Sequence, residues 1–226
     1  MITIDNLTIS FGNKEVLKDI NIHFSKGKVV GIVGENGSGK TTLFKCIAGL
    51  QAYKGVIKSE YTPLKNHIGF LQTEPYFFSK ITGREYIQLL CNARDIKMDE
   101  IDNRNIFDLP LNQYAATYST GMKKKLALTA ILIQENEVLI LDEPFNGVDI
   151  HSNIIITEII HQLKFLNKTI LISSHIFSTL NSTCDEIHLL RNGKFIKKVL
   201  KEEFALFEQE LINFTIGDRI EKLHLK

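Results

Sequence analysis

One short stretch constrains the fold of this chain more than any other: Gly34-Glu35-Asn36-Gly37-Ser38-Gly39-Lys40-Thr41-Thr42. An apolar run, Val29-Val30-Gly31-Ile32-Val33, precedes it, and the amphipathic segment Leu43-Phe44-Lys45-Cys46-Ile47-Ala48 follows. Strand, glycine-rich loop and helix, with the spacing G-x-x-x-x-G-K-T, form the context of a phosphate-binding loop. Glycines let the backbone turn its N–H groups onto phosphate oxygens, and the helix beginning near Lys40 adds its positive dipole end. Lys40 is positioned for the β- and γ-phosphates of a nucleoside triphosphate, and the Thr41 hydroxyl for Mg²⁺.

The rest of the chain reads as a sheet built around that loop. Ile2–Ile9 and Ile20–Phe24 alternate apolar and polar residues, as half-buried strands do, with a turn at Asn13. Val56-Ile57 and Ile68–Leu71 look like short strands. Glu137–Asp142 and Thr169–Ser173 are nearly continuous apolar runs, which suits parallel strands covered on both faces. Asn192-Gly193 between Asp185–Arg191 and Lys194–Val199 signals a two-residue hairpin. Thr82-Gly83-Arg84-Glu85 is a capping box opening a helix, and residues 73–134 read as a helical insertion between core strands. The tail predicts a helix over Glu202–Leu211 and a strand around Phe214.

Composition narrows the class. A length of 226 residues with 44% hydrophobic content permits one large domain with a substantial insertion. A net charge of +1 gives no electrostatic reason to expect nucleic acid as a partner. Cys46, Cys91 and Cys184 lack metal or redox spacing and fit a reducing compartment. Met1-Ile2-Thr3-Ile4-Asp5 does not open a secretory signal, and no apolar run approaches the ~18 residues of a membrane span. The expectation is a cytoplasmic protein whose membrane role, if any, is borrowed from a partner.

Three further positions carry chemistry. Val138–Leu141 ends in Asp142-Glu143: an aspartate at a strand tip beside a phosphate loop can hold Mg²⁺, and the adjacent glutamate can polarise an attacking water. His175 follows Thr169–Ser174, again beyond a strand's end, where an imidazole can donate to a γ-phosphate. Tyr118-Ser119-Thr120-Gly121-Met122 precedes a helical run; Ser119 suits an N-cap, and Gly121 permits close approach of a phosphate to the backbone. An ordinary capped helix explains that stretch equally well. The run Lys123-Lys124-Lys125 reads as the solvated face of this helix, with a phosphate or partner contact as the alternative.

Taken in order, GENGSGKTT, Gln72, YSTGM, VLILDEP, NGVD and SSH resemble the motifs of the ATP-binding cassette (ABC) ATPases over nearly the whole chain. The resemblance implies an α/β fold: a P-loop NTPase core with a mostly parallel sheet, an inserted α-helical subdomain and a small antiparallel β subdomain. It implies a single domain over residues 1–226, binding ATP and Mg²⁺. It places adenine on Phe11 and phosphates on Gly34, Asn36, Gly37, Ser38, Gly39, Lys40, Thr41 and Thr42. Mg²⁺ falls to Thr41, Gln72 and Asp142, with catalysis by Glu143, His175 and Gln72. It assigns Ser119, Thr120 and Gly121 to the nucleotide of a second ATPase subunit, a homodimer being expected because the motifs are complete. Asn146-Gly147-Val148-Asp149 corresponds to the loop that crosses to that subunit. A separate membrane-spanning permease is the other implied partner, and its cargo is left open. The signature departs from the common LSGGQ: Thr120 replaces a Gly, Met122 replaces the Gln, and Lys125 stands for an Arg. Tyr-Ser-x-Gly-Met resembles the signature of single-cassette antibiotic-peptide and multidrug exporters. The alternative is a non-transport ABC ATPase acting on ribosomes or nucleic acid.

Overall fold

The computed structural model describes residues 1–96 and 100–216. Two sheets and a helical layer stack around the central strands. β1 (Ile2–Phe11), β2 (Lys14–Phe24), β3 (Val29–Val33) and α1 (Lys40–Ile47) come first, then β4 (Lys54–Ser59) and β5 (Ile68–Leu71). α2 (Gly83–Asn92) and α3 (Thr120–Ile133) precede β6 (Val138–Asp142), α4 (Ile150–Phe165) and β7 (Thr169–Ser173). α5 (Phe177–Thr183), β8 (Glu186–Arg191), β9 (Lys194–Leu200) and α6 (Phe204–Ile216) complete the order.

The larger sheet has the order β5-β6-β7-β3-β8-β9, parallel except for β9, which returns antiparallel through Asn192-Gly193. The smaller, β2-β1-β4, is antiparallel. The continuous apolar runs of the central strands follow from burial on both faces. In β6, Val138 and Ile140 face the small sheet and α1, packing with Leu7, Phe24, Leu43 and Phe44. Leu139 and Leu141 face the helices, packing with Leu126, Ala130, Ile156 and Ile160. Successive side chains alternate faces, so a strand with two dry faces must be apolar at every position.

That stacking fixes the functional edge. β3, β6 and β7 run parallel in register, with Ile32 opposite Ser173 and Ser173 opposite Asp142. Their C-terminal tips therefore lie side by side, the crevice where open α/β sheets bind ligands. Between β5 and β6 the chain forms α2 and α3, joined by irregular stretches and single 3₁₀ turns at Asp102–Arg104 and Ala115–Thr117. The Thr82/Glu85 capping box opens α2 as its sequence signals.

Two expectations fail. There is no strand at Phe214: α6 begins at Phe204, after a 3₁₀ turn over Lys201–Glu203, and continues to Ile216. Phe204, Phe207 and Leu211 recur at helical spacing, and Phe177 meets Phe204 and Phe207 edge-on at 6.2 and 6.0 Å, so one packed face sustains the helix. Nor is Lys123–Lys125 a solvated face. Lys124 is 1% exposed, because α3 is packed between the sheet and its neighbours and buries nearly every residue after its first turn.

Candidate functional site

Gly39 opens α1 with φ 110°, a left-handed conformation at which a Cβ would also lie 2.6 Å from Leu17. Only glycine fits there. No side chain caps α1, so the first N–H groups of the helix face the cleft in front of it. That cleft, ≈ 360 Å³, is lined by Phe11, Asn36, Gly37, Gly39, Lys40, Thr41, Thr42, Thr73, Asp142 and Glu143, among others. Most of the residues expected to hold phosphate thus share one wall system. Phe11 is half exposed at the rim, where an aromatic ring can stack on a flat ligand. Lys40 Nζ donates to the carbonyls of Gly34 (2.7 Å) and Glu35 (3.2 Å) within its own loop. Burial pushes this ammonium below the usual lysine range, and the carboxylates of Glu143 and Asp142 oppose the shift. Ser38 is buried, and its hydroxyl has no hydrogen-bond partner among the described residues. A buried hydroxyl without a partner is rare unless a ligand supplies one.

Asp142 is fully buried and collects three hydroxyl donors. Thr41 Oγ1 donates to Oδ2 at 2.6 Å, Thr73 Oγ1 to the same oxygen at 2.7 Å, and Ser173 Oγ to Oδ1 at 2.5 Å. These come from α1, the segment after β5, and β7, so one carboxylate ties three parts of the site together. Sequence reasoning missed Thr73 and Ser173 as partners of Asp142; no motif marks them, and only the pairing of β6 with β7 brings Ser173 across. Gln72 does not join this cluster. It lines a groove with Phe70, Tyr86, Leu90, Arg94 and Gln134, towards the α2/α3 layer.

Glu143 has φ 54°, a left-handed conformation unusual for a side chain other than Gly or Asn. Its N–H donates to Ser173 Oγ (3.0 Å) and to the Ser173 carbonyl (3.2 Å). His175 Nδ1 lies 2.9 Å from Glu143 Oε2, with the imidazole half exposed. The histidine read as a phosphate donor thus sits against the glutamate read as a base. The oxygen donors Thr41 and Asp142 suit Mg²⁺, which takes one or two protein oxygens and leaves the rest to water and phosphate. Among the described residues, no group of three or more His, Cys, Asp or Glu forms a dedicated metal cage.

Ser119 caps α3, its hydroxyl accepting from the Met122 N–H. Ser119 and Thr120 are exposed, and neither they nor Gly121 lines the Lys40–Glu143 cleft. A Cβ on Gly121 would lie 2.6 Å from the Gly147 carbonyl. The close approach that requires glycine here is made by the chain's own backbone. Lys124, one turn on, donates to the carbonyls of Glu143 (2.6 Å) and Asn146 (3.0 Å). Burial lowers its pKa, while Glu143, Asp142 and Glu74 favour its charge. No helix among the described residues is long and apolar enough to cross a membrane.

Comparison with known proteins agrees with this geometry. Residues 17–146 match the family described as ABC transporter. The chain is 33% identical to the ABC transporter ATP-binding protein NatA of Bacillus subtilis (strain 168) over 231 residues, covering 93% of each. It is 30% identical to the bacitracin transport ATP-binding protein BcrA of Enterococcus faecalis over 239 residues, covering 96% of this chain and 75% of BcrA. A solved ATP binding subunit of an ABC transporter superposes with TM-score 0.79 at 25% identity, covering 92% of this chain and 93% of its own.

Proposed function

Given that this chain belongs to the ABC transporter family as its ATP-binding ATPase, we propose that it powers an exporter by closing as a head-to-tail homodimer around two ATP molecules. One observation carries this reading: the phosphate cleft and the capped N-terminus of α3 are each well formed but lie apart in one chain. An exposed helix N-terminus bearing Ser119, Thr120 and Gly121 is an anion site in search of a phosphate. A two-fold pairing gives it the γ-phosphate held by Lys40 of the second copy. ATP bridges only the closed pair, so its hydrolysis reopens it.

Within each site, Phe11 stacks on adenine, and Gly34–Thr42 cradle the phosphates with backbone N–H groups and Lys40. Thr41 and Asp142 would hold Mg²⁺, with Gln72 as the further ligand expected, and the ion would supply charge neutralisation at the triphosphate. Glu143 takes a proton from the attacking water, and His175 steadies the glutamate and reaches towards the γ-phosphate. Residues 73–134 act as the inserted helical subdomain that carries the signature towards the partner. A separate membrane-spanning subunit docks beside Gln72, where Tyr76 and Phe78 expose 73% and 57% of their surface and meet edge-on at 5.5 Å. The chain then works on the cytoplasmic face of the membrane. The export direction draws support from the Tyr-Ser-x-Gly-Met signature and from similarity to a bacitracin transport protein.

The test is Glu143→Gln. It removes the base and keeps the binding groups, so ATPase activity falls roughly 10²-fold or more. Size-exclusion chromatography in ATP then shows a trapped dimer. A variant that remains monomeric at high concentration with ATP bound refutes the sandwich.

A further inference from the structure

The first two turns of α3 are fastened to the loop between β6 and α4, and to the first turn of α4, at three successive points. Gly121 lies against the Gly147 carbonyl. Lys124 Nζ holds the Glu143 and Asn146 carbonyls. Lys125 Nζ reaches Asp149 Oδ2 and Ser152 Oγ, each at 3.2 Å. The middle fastening is the unusual one, because Lys124 is 1% exposed and lysine is almost never buried so fully unless it is paired. Its ammonium has three N–H bonds, and two of them go to carbonyls of one tight turn.

That turn is where Glu143 sits. A left-handed conformation at a glutamate persists only where the surroundings hold it. Ser173 holds the Glu143 N–H from one side, at 3.0 Å. On the other side, the Glu143 carbonyl accepts from Lys124 at 2.6 Å and from the Asn146 N–H at 3.2 Å. The backbone is therefore pinned before and after the Cα that carries the carboxylate. Among the described residues, no other side chain donates to the Glu143 carbonyl.

We propose that Lys124 is a positioning residue for Glu143: it holds the left-handed turn that presents the carboxylate to the phosphate cleft, and it makes that turn and the Ser119–Gly121 end of α3 one rigid body. Lys124 does not line the phosphate cleft and acts through the turn alone. The consequence for two sites rests on the dimer reading above. There, Glu143 serves the chain's own ATP while Ser119–Gly121 meets the partner's, so the Lys124 link passes a displacement at one γ-phosphate to the base at the other.

The test compares Lys124→Met, which keeps the length and loses the donors, with Lys124→Gln, which keeps an N–H donor and loses the charge. Hydrogen exchange of the nucleotide-free chain reads the turn directly. In K124M the Asn146 amide exchanges roughly 10–100-fold faster, the range for losing a hydrogen bond to a charged group. ATP turnover falls by a similar factor, while affinity for a non-hydrolysable ATP analogue stays within about threefold, the split expected when only transition-state geometry is lost. K124Q lies between in both. Unchanged exchange in K124M overturns the proposal, and so does a parallel loss of affinity and turnover in both variants. If K124M does not fold, K124Q carries the same comparison, and wild-type exchange with wild-type turnover refutes the role. Exchange needs neither ATP nor a second copy, so this result stands independently of the dimer. A wild-type chain that never pairs in ATP removes only the link between two sites.

Discussion

Ser173 offers the sharpest test of how the site is held. Its hydroxyl is fully buried, donates to Asp142 Oδ1 at 2.5 Å and accepts the Glu143 N–H at 3.0 Å. In Ser173→Ala the Glu143 N–H keeps its bond to the Ser173 carbonyl at 3.2 Å, so no buried amide is orphaned. The Asp142 carboxylate loses one of three hydroxyl donors. A hydrogen bond to a charged group contributes ~1.5–3 kcal/mol, and the substitution leaves only a small void, so a loss of about 2 kcal/mol is expected. For a chain of this size that corresponds to a fall of about 4–8 °C in Tm. Calorimetry and urea unfolding without nucleotide measure it. Asp142→Asn removes the charge that makes the bond strong. In that background Ser173→Ala should cost only ~0.5–1.5 kcal/mol, the range for a neutral hydrogen bond. ATP turnover in the single variant falls roughly tenfold as Asp142 and Glu143 lose their common anchor. An unshifted Tm, or the same penalty in both backgrounds, refutes the argument that Ser173 acts through the Asp142 charge.

Lys40→Ala removes the only lysine ammonium inside the phosphate loop and should abolish ATP affinity measured by calorimetry; wild-type affinity would remove the central assignment. Thr120→Gly restores the commoner signature residue at an exposed position, and steady-state assays should show ATPase activity preserved or raised, whereas complete loss would mean that this signature works by another geometry. His188 is buried beside Phe24 and Phe195, bonded to Glu186 at 2.8 Å and near Lys198, which shares that carboxylate. Burial lowers its pKa against the pull of Glu186. The unfolded chain therefore takes up a proton before the folded one does, so this contribution to stability is complete above an unfolded imidazole pKa of about 6.5 and is lost as pH falls through the lower folded value. Urea midpoints between pH 7.5 and 5.5 should fall more steeply in the wild type than in His188→Asn, and equal slopes would exclude the effect.

The central strands, the phosphate loop and the Asn192-Gly193 hairpin were legible because local pattern and final environment agree. An apolar run bounded by a glycine-rich loop has few other homes, and Asn-Gly sets its own turn. The Asp142–Thr73–Ser173 cluster was not legible as a cluster, because its members are joined by strand register and not by spacing. Lys124 was misread for a different reason. Three consecutive lysines look solvated, yet successive helical residues point in different directions, and Lys124 shares a face with Leu128 and Ile131, both buried. That spacing was present in the sequence and was outweighed by charge. The strand expected around Phe214 overlooks a helical period that Phe204, Phe207 and Leu211 already carry.

β3 is made early, but its bonded neighbours on both sides, β7 and β8, are made late. About 136 residues separate Val33 from Thr169, which at 5–20 residues per second leaves the first strand of the central sheet waiting roughly 7–27 s on the ribosome. During that interval Val29–Val33 is an apolar segment with neither edge covered, which makes it a natural client for a chaperone. For most of that interval nucleotide gives the growing chain no help, because Asp142 and Glu143, which complete its cleft, are translated only towards its end.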